Sequence, residues 1–384
     1  MISVLKKEKE SSKFNTYLRV LDLLINEEMT RVKLSKNTGL TNTTISEIVK
    51  KFLQIGFIKE SKIIPRGVGR PSINLKMCEE YTNVIGIGIM RNSIKGTLIN
   101  SAGLEIYRMS KPLKRGCSQI DTMYGLINDL LKKAEIDKRK VKAISFGVPG
   151  PLDVRKGIIK EPPNLSEFSN YPLIDNIKKK YNLFACLEND ADMGAIGEKY
   201  YGKGKKLSSF IYLVYDKGIG AGIMINNDLY RGLNGYAGEV GHTPLLRDGK
   251  FIYFEEIYGI DKVLNMINNC ISNPNLYFKE SKSFPLDERK LIDEIIQNVS
   301  INFSIIILNL IHYFGISNIF IDGRVKLLGK DFIVSLKETV KRHLFYKHNV
   351  NIYFSNLDGY AISLGAAKYG LIKLLQKIVI EEIS

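Results

Sequence analysis

A glycine-rich stretch over residues 218–245 most constrains what this chain can fold into. It follows an apolar run at residues 211–214, and its first part, residues 218–222, alternates glycine with isoleucine or alanine. Alternating glycines let backbone N–H groups approach an oxygen-rich ligand, so the pattern predicts a ligand cradle after a strand. The far end presents Glu239 and His242 among closely spaced glycines, and a carboxylate beside an imidazole suits a polyol ligand.

The same stretch has a simpler interpretation. The pair Asn227-Asp228 lies between two apolar runs and predicts a hairpin turn. A glycine-rich β-meander that carries Glu239 and His242 as surface polar groups would show the same pattern. Motifs elsewhere in the chain distinguish the ligand cradle from the plain β-meander.

Charge and composition narrow the class of protein. The 384 residues suit two or three domains, and a formal net charge of +16 favours a polyanionic partner, unless it reflects a lysine-rich proteome. No apolar run reaches the length of a membrane span, and the charged N-terminus does not resemble a secretory signal, so we expect a cytoplasmic protein. The four cysteines are far apart, which argues against a disulfide framework and a thiolate metal site: Cys78, Cys117, Cys186 and Cys270.

The first eighty residues predict a helix-turn-helix. Apolar spacing predicts a helix over residues 14–27; a second helix is capped by Thr30 and stopped by Gly39, and a third runs from Thr41 or Asn42 to about Gln54. Small polar side chains on the third helix suit base-edge reading in a major groove. The residues that we expect to contact DNA on this helix are Asn42, Thr43, Thr44, Ser46 and Lys50. Any three-helix bundle with a glycine turn could imitate this pattern.

A wing follows the three helices. Two alternating segments, residues 56–60 and 72–76, flank a loop rich in glycine and proline that contains Arg66 and Arg70. The triplet Gly69-Arg70-Pro71 is a candidate minor-groove finger, since narrow grooves attract an extended arginine; an ordinary turn is the alternative. The net charge of residues 1–80 is +6, which supports a winged helix-turn-helix that binds double-stranded DNA.

The rest of the chain predicts two α/β lobes with a cleft that closes on a ligand. We expect a DNA-binding domain over residues 1–80, a first lobe over 81–195 and a second over 196–384, whose terminal helix could return to the first lobe. Asn189 and Asp190 follow a strand, where ligands gather in α/β folds. A carboxylate there could take a proton from a sugar hydroxyl, although helix capping is an equally compatible use of these residues.

Four motifs in order resemble the ROK family of repressors and sugar kinases, which has the actin-like ATPase-domain fold. They lie at residues 146–153, 162–165, 188–192 and 235–242. The resemblance implies that Asp190 matches the catalytic base of the family's kinases. It also implies a set of sugar-binding positions: Asn164, Asn189, Asp190, Glu239, His242 and Glu255. The predicted fold class is therefore α/β, a winged helix-turn-helix followed by a two-lobed ROK sugar kinase-like domain.

Departures from the family pattern favour a regulator over an enzyme. Residues 88–92 lack the aspartate of the first phosphate motif, Asp216-Lys217 replaces a Gly-Thr pair in the second, and Asp322-Gly323 resembles the Gly-Gly pair on the adenosine side. Loss of these groups should leave sugar binding without phosphoryl transfer. The sequence thus predicts a sugar-responsive repressor, with an ATP-dependent sugar kinase and a ligand-free scaffold as alternatives.

The family's zinc site is also missing. That site uses the histidine matching His242 and three cysteines, but no cysteine lies between His242 and Glu255. We expect no metal and no other cofactor, with ATP and Mg²⁺ only under the kinase alternative. His242 is then a sugar contact or a packed histidine. The expected partners are operator DNA, a sugar effector and a second copy of the chain, with a tetramer as an option.

Overall fold

The computed structural model describes residues 2–62, 73–133, 137–162, 165–272 and 284–383. The chain forms two compact units, residues 1–188 with 366–384, and residues 189–365. The division falls after Glu188, where we expected it after residue 195, and the first eighty residues share a unit with the first lobe.

The N-terminal residues form three helices and a small sheet. In chain order these are α1 (Ile2–Asn26), β1 (Met29–Thr30), α2 (Arg31–Thr38), α3 (Asn42–Ile55), β2 (Ile58–Lys62) and β3 (Ile73–Met77), with sheet order β1-β3-β2. The predicted caps are confirmed. Thr30 Oγ1 accepts from the N–H of Lys33, Thr41 Oγ1 accepts from the N–H of Thr44, both at 3.2 Å, and Gly39 ends α2 in the left-handed conformation.

The first lobe is built on a mixed five-stranded sheet with the order β10-β7-β4-β5-β6. Its elements are β4 (Asn83–Ile89), β5 (Ser93–Asn100), β6 (Glu105–Pro112), α4 (Gln119–Lys133), β7 (Val141–Val148), β8 (Leu152–Asp153), β9 (Ile158–Ile159), α5 (Leu173–Tyr181) and β10 (Phe184–Asn189). We did not predict β6. It is an edge strand without a buried residue, so its sequence lacks the apolar alternation of a half-buried strand.

The second unit repeats this plan with the sheet order β13-β12-β11-β16-β17. Its elements are α6 (Asp190–Tyr201), β11 (Phe210–Tyr215), β12 (Ile219–Ile225), β13 (Asp228–Tyr230), β14 (Pro244–Arg247), β15 (Lys250–Tyr253), α7 (Phe254–Tyr258), α8 (Ile260–Asn268), α9 (Leu286–Phe314), β16 (Asn318–Asp322), α10 (Gly329–His343), β17 (Asn351–Phe354) and α11 (Ala361–Ile383). Helix α11 begins in this unit and continues from Ala366 in the first.

The predicted hairpin turn was wrong by one residue. Ile225 pairs with Asp228, so the turn residues are Asn226 and Asn227, both with positive φ. Asparagine tolerates this conformation better than most residues, which places the turn on the asparagine pair.

Helix α9 supplies the centre of the second unit's core. Phe303, Ile307 and Ile311 are buried there against β11 and β16 residues. Among the described residues, α9 is also the one helix long and apolar enough to cross a membrane by length and composition, and half of its most apolar window is buried. A core helix of a globular unit passes the same test.

A buried lysine joins α11 to the first helix. Lys368 is 4% exposed, and its Nζ donates to the carbonyl oxygen of Ile25 at 3.2 Å in the last turn of α1. The last carbonyls of a helix lack partners within the helix, so the ammonium group caps this end. Lys51 and Glu382 add a surface ion pair between α3 and α11 at 3.8 Å.

Lys368→Met should make unfolding less dependent on pH. Burial lowers the pKa of Lys368 from 10.5 to about 8, so between these values the unfolded chain binds more protons and wild-type stability rises with pH. Near pH 7 the substitution should raise the free energy of unfolding by roughly 1 to 3 kcal/mol. Urea unfolding at pH 7.5 and 9.5 measures both effects. Lys373→Met, an exposed position on the same helix, is the control, and an unchanged pH slope in Lys368→Met would contradict this account.

Candidate functional site

Helix α3 presents the predicted DNA-contacting residues on its outer face. Ile45, Ile48, Val49 and Phe52 are buried on the inner face. On the opposite side lie the exposed side chains of Asn42, Thr43, Ser46, Glu47 and Lys50. This arrangement leaves one helix face available to a groove of DNA.

Two of the predicted contacts are already engaged within the helix. Thr44 is half-buried, and its hydroxyl shares a hydrogen bond with that of Thr41 at 2.9 Å. Ser46 Oγ donates to the carbonyl oxygen of Asn42 at 2.8 Å. Asn42, Thr43 and Lys50 are therefore the better candidates for contacting DNA. Arg66, Arg70 and the sugar-site candidate Asn164 lie outside the described residues.

Asn189 and Asp190 stand where strand β10 passes into helix α6. Asn189 is the N-cap of α6, and its Oδ1 accepts from the N–H of Ala191 at 2.9 Å. The capping role that we weighed for this residue is thus present, while a sugar contact by its side chain stays a prediction. Asp190 is the first residue of the helix and is half-buried.

The Asp190 carboxyl has an unusual affinity for protons. Its pKa is raised from 3.8 to about 6, chiefly by burial and in addition by the negative charges of Glu239 and Asp216. A hydrogen bond from the N–H of Ala191 at 2.8 Å acts in the opposite direction and lowers the pKa. A carboxyl that titrates near neutral pH can both accept and donate a hydrogen bond, which is what a sugar hydroxyl requires.

His242 lies between two carboxylates. Its Nδ1 is 3.5 Å from Oε2 of Glu239, and its Nε2 is 3.7 Å from Oε1 of Glu255. The other oxygen of Glu255 accepts from the N–H of Ile219 at 3.1 Å, at the start of β12. The structure therefore brings together three predicted residues, Glu239, His242 and Glu255. The negative charge of Glu239 also raises the pKa of Asp190.

Three glycines of the stretch, Gly222, Gly238 and Gly241, are required by close packing. Gly220 and Gly222 lie in β12 and pair with residues of β11. A Cβ at Gly222 would collide with the carbonyl oxygen of Ala191 in α6. A Cβ at Gly238, where φ is 89°, would strike the carbonyl oxygen of Ala221. Gly241 leaves room for the carboxylate of Glu255. These close approaches require glycine and bring residues 238–242 against the strand.

Asp216, at the position of the second phosphate motif, belongs to an ion-pair network with Arg324 and Asp261. Asp216 follows β11, and both of its carboxylate oxygens accept from Nε of Arg324, at 2.9 and 3.0 Å. Arg324 Nη1 also donates to Asp261 at 2.8 Å. In the first motif, residues 90–93 simply close the turn between β4 and β5, with the N–H of Met90 donating to Ser93.

The residues present do not fit the family's zinc site. His242 has carboxylates for neighbours, and in the described part of the chain no group of three or more His, Cys, Asp or Glu side chains could hold a metal ion.

Sequence reasoning missed two residues of this region. Tyr253 packs its ring edge-on against the His242 imidazole, with centroids 5.1 Å apart and planes at 80°. Arg324 comes from a segment more than one hundred residues after Asp216. Arg324 directly follows the motif residues Asp322-Gly323, and this position could have identified it as part of the region. Nothing in the sequence distinguishes Tyr253 from the other tyrosines of the chain, which has twenty in all.

Glu239→Gln should lower the pKa of Asp190, because it removes a negative charge that opposes ionisation. Carboxyl ¹³C NMR with labelled aspartate, assigned by Asp190→Asn, measures the titration midpoint, which we expect near pH 6 in the wild type. Glu256→Gln, an exposed neighbour in α7, should leave that midpoint unchanged. An equal midpoint in Glu239→Gln and wild type would show that the two groups are not coupled.

Comparison with known proteins supports this description. Residues 84–255 match the model of the ROK family. A xylose repressor of Caldicellulosiruptor bescii is 28% identical over 378 residues, which cover 91% of this chain and 94% of that protein.

Solved structures show the same fold. A ROK family transcriptional regulator, described as a homologue of the E. coli MLC protein, superimposes with a TM-score of 0.75 at 19% identity over 97% of this chain and 100% of its own. A ROK glucokinase from Streptomyces griseus, in complex with glucose and AMPPNP, matches 75% of this chain and 99% of its own at 21% identity, with a TM-score of 0.62. The predicted fold class is confirmed, and this chain contains a ROK-family domain.

Proposed function

We propose that this protein is a sugar-responsive transcriptional repressor that binds operator DNA through α3 and the wing and releases it when a sugar binds. The observation that carries the proposal is one chain with both an exposed polar helix face at residues 42–50 and a carboxylate–imidazole group at Asp190, Glu239, His242 and Glu255. Because a xylose repressor is similar over nearly its whole length, D-xylose is the first effector to test.

The charge at Asp216 argues against phosphoryl transfer. In the family's kinases this position belongs to the second phosphate motif, which has to accept several negative charges. Here a carboxylate stands there and its arginine partner is shared with Asp261. A carboxylate repels phosphate oxygens, so the group lacks the charge neutralisation that transfer depends on.

Recognition of DNA would follow the geometry of two-fold symmetric regulators. Two copies of the chain would place two α3 helices on a palindromic operator. Such a function requires a cytoplasmic location. Sugar binding changes operator affinity only if the sugar binds the DNA-free conformation more tightly than the DNA-bound one.

An ATP-dependent sugar kinase is the second candidate function. One observation favours it: the raised pKa of Asp190, about 6, suits a general base near neutral pH. Incubation of the protein with ATP, Mg²⁺ and a panel of hexoses, pentoses and N-acetylhexosamines separates the two functions. Steady ADP formation that depends on the sugar would replace the repressor with the kinase.

Asp190→Ala should remove the response to sugar while leaving DNA binding intact. An operator is first selected by the wild-type protein from random duplex DNA, and its affinity is measured by fluorescence anisotropy with and without D-xylose. We expect sugar to weaken wild-type binding at least tenfold, and the variant to bind with wild-type affinity within about twofold but without the sugar effect. Asp228→Ala, an exposed aspartate in the same unit, should respond like the wild type. Retained release in Asp190→Ala would refute the effector site.

Two substitutions on α3 should weaken operator binding in different ways. Asn42→Ala should lower affinity for the selected operator roughly tenfold with little change on random DNA, because an amide reads base edges. Lys50→Ala should weaken both and reduce the slope of log affinity against log salt by about 1, as expected for a phosphate contact.

Lys250→Ala, at an exposed lysine in the β14–β15 hairpin, is the control for lost positive charge. Unchanged affinity and salt slope in both α3 variants would remove this helix from the DNA-binding surface.

A further inference from the structure

We infer that Tyr253 and the β14–β15 hairpin position His242 and Glu255 for sugar recognition, which makes Tyr253 a positioning residue of the effector site. This inference rests on the proposed function and adds to it the residues that fix the distance and orientation of His242 and Glu255.

The hairpin holds its two ends in a fixed register. Arg247 pairs with Lys250 next to the turn, and Pro244 pairs with Tyr253 at the open end. Beyond the Pro244–Tyr253 pair, the N–H of Phe254 donates to the carbonyl oxygen of Thr243 at 3.0 Å. His242 directly precedes Thr243 and Glu255 directly follows Phe254. The hydrogen bonds of the hairpin therefore determine how close the imidazole and the carboxylate come, 3.7 Å between Nε2 and Oε1.

The two ends are also attached to neighbouring backbone. Thr243 Oγ1 donates to the carbonyl oxygen of Val240 at 2.7 Å, which holds the short turn that contains His242. Glu255 is held by the N–H of Ile219 in β12. The hairpin is thereby tied to the glycine-rich segment at one end and to the sheet at the other.

Tyr253 restricts the imidazole from a third direction. The His242 side chain is 51% exposed, so burial alone leaves its ring free to rotate. Glu239 lies near Nδ1 and Glu255 near Nε2, and the Tyr253 ring packs at 80° against the imidazole plane. Edge-to-face packing favours one orientation of the two rings, and an ordered side chain loses less entropy when a ligand binds.

This arrangement differs from the zinc-bound histidine of the family. His242 has two carboxylates and a phenol ring around it, and its segment is closed by a hairpin of eight strand residues with Asp248 and Gly249 at the turn. Backbone hydrogen bonds of the hairpin and packing of the Tyr253 ring thus position His242 in this chain. Accordingly, sugar affinity should be the same before and after treatment with a chelator.

The test compares three variants of neighbouring aromatic positions. Tyr253→Ala removes the ring, Tyr253→Phe keeps the ring without its hydroxyl, and Phe251→Ala removes an aromatic ring that is 76% exposed on the same strand. Isothermal titration with D-xylose should give roughly threefold to tenfold weaker binding for Tyr253→Ala, and wild-type affinity for the other two. Operator affinity without sugar should be equal in all four proteins.

A second readout separates positioning from folding and does not need the sugar. The ring resonances of His242, assigned among the four histidines by His242→Gln, should shift and broaden in Tyr253→Ala and keep their wild-type positions in Tyr253→Phe and Phe251→Ala. Thermal midpoints should remain within a few degrees in all variants.

The outcomes distinguish the inference from the function on which it rests. Wild-type sugar affinity together with unchanged His242 resonances in Tyr253→Ala would overturn the inference and leave the repressor intact. Absence of binding by the wild-type protein to D-xylose and to the sugar panel would overturn the proposed function, while the resonances would still decide whether Tyr253 orients the imidazole.

Discussion

The close packing of residues 238–241 against strand β12 is the constraint on which the candidate site depends. The N–H of Ala221 donates to the carbonyl oxygen of Gly238 at 2.8 Å, and the adjoining contacts leave no space for a Cβ at Gly238 or Gly241. From this contact the chain turns through His242 into the hairpin and returns at Glu255. Glycine thus acts on the candidate site indirectly: it lets one backbone segment approach another, and this approach places the polar side chains.

Local signals in the sequence predicted helices α2 and α3 and their caps correctly. The caps at Thr30 and Thr41 were readable because a side-chain oxygen and a backbone N–H three residues apart decide them. Strand β17, by contrast, is a short edge strand of four residues whose pairing with β16 depends on distant sequence. The same limit applies to the site: Glu239, His242 and Glu255 were predicted from motifs, whereas Tyr253 acts through a tertiary contact that no local pattern encodes. Arg324 directly follows the recognised pair Asp322-Gly323, but its partner Asp216 is distant in the sequence.

Asp190 and Asp216, which follow strands β10 and β11, have opposite electrostatic environments. Asp190 is desolvated and close to other negative charges, so it takes up a proton readily and can exchange hydrogen bonds with a hydroxyl. Asp216 is instead compensated by Arg324. A phosphate group would have to compete with Asp216 for that arginine, whereas a neutral sugar near Asp190 would not. The electrostatics therefore favour an uncharged polyol over a nucleotide.

Two polar contacts join the predicted DNA-binding segment to α11, and their strength bears on how much energy an effector would have to supply. The ammonium of Lys368 is buried at a carbonyl oxygen, with a pKa lowered to about 8, so part of the hydrogen-bond energy offsets desolvation. The accompanying pair of Lys51 and Glu382 is exposed, and exposed pairs contribute about 1 kcal/mol or less. A tenfold change in operator affinity needs a difference of only about 1.4 kcal/mol between two conformations. Contacts of this strength can be rearranged by a ligand that makes a few hydrogen bonds, which is the range expected for a monosaccharide.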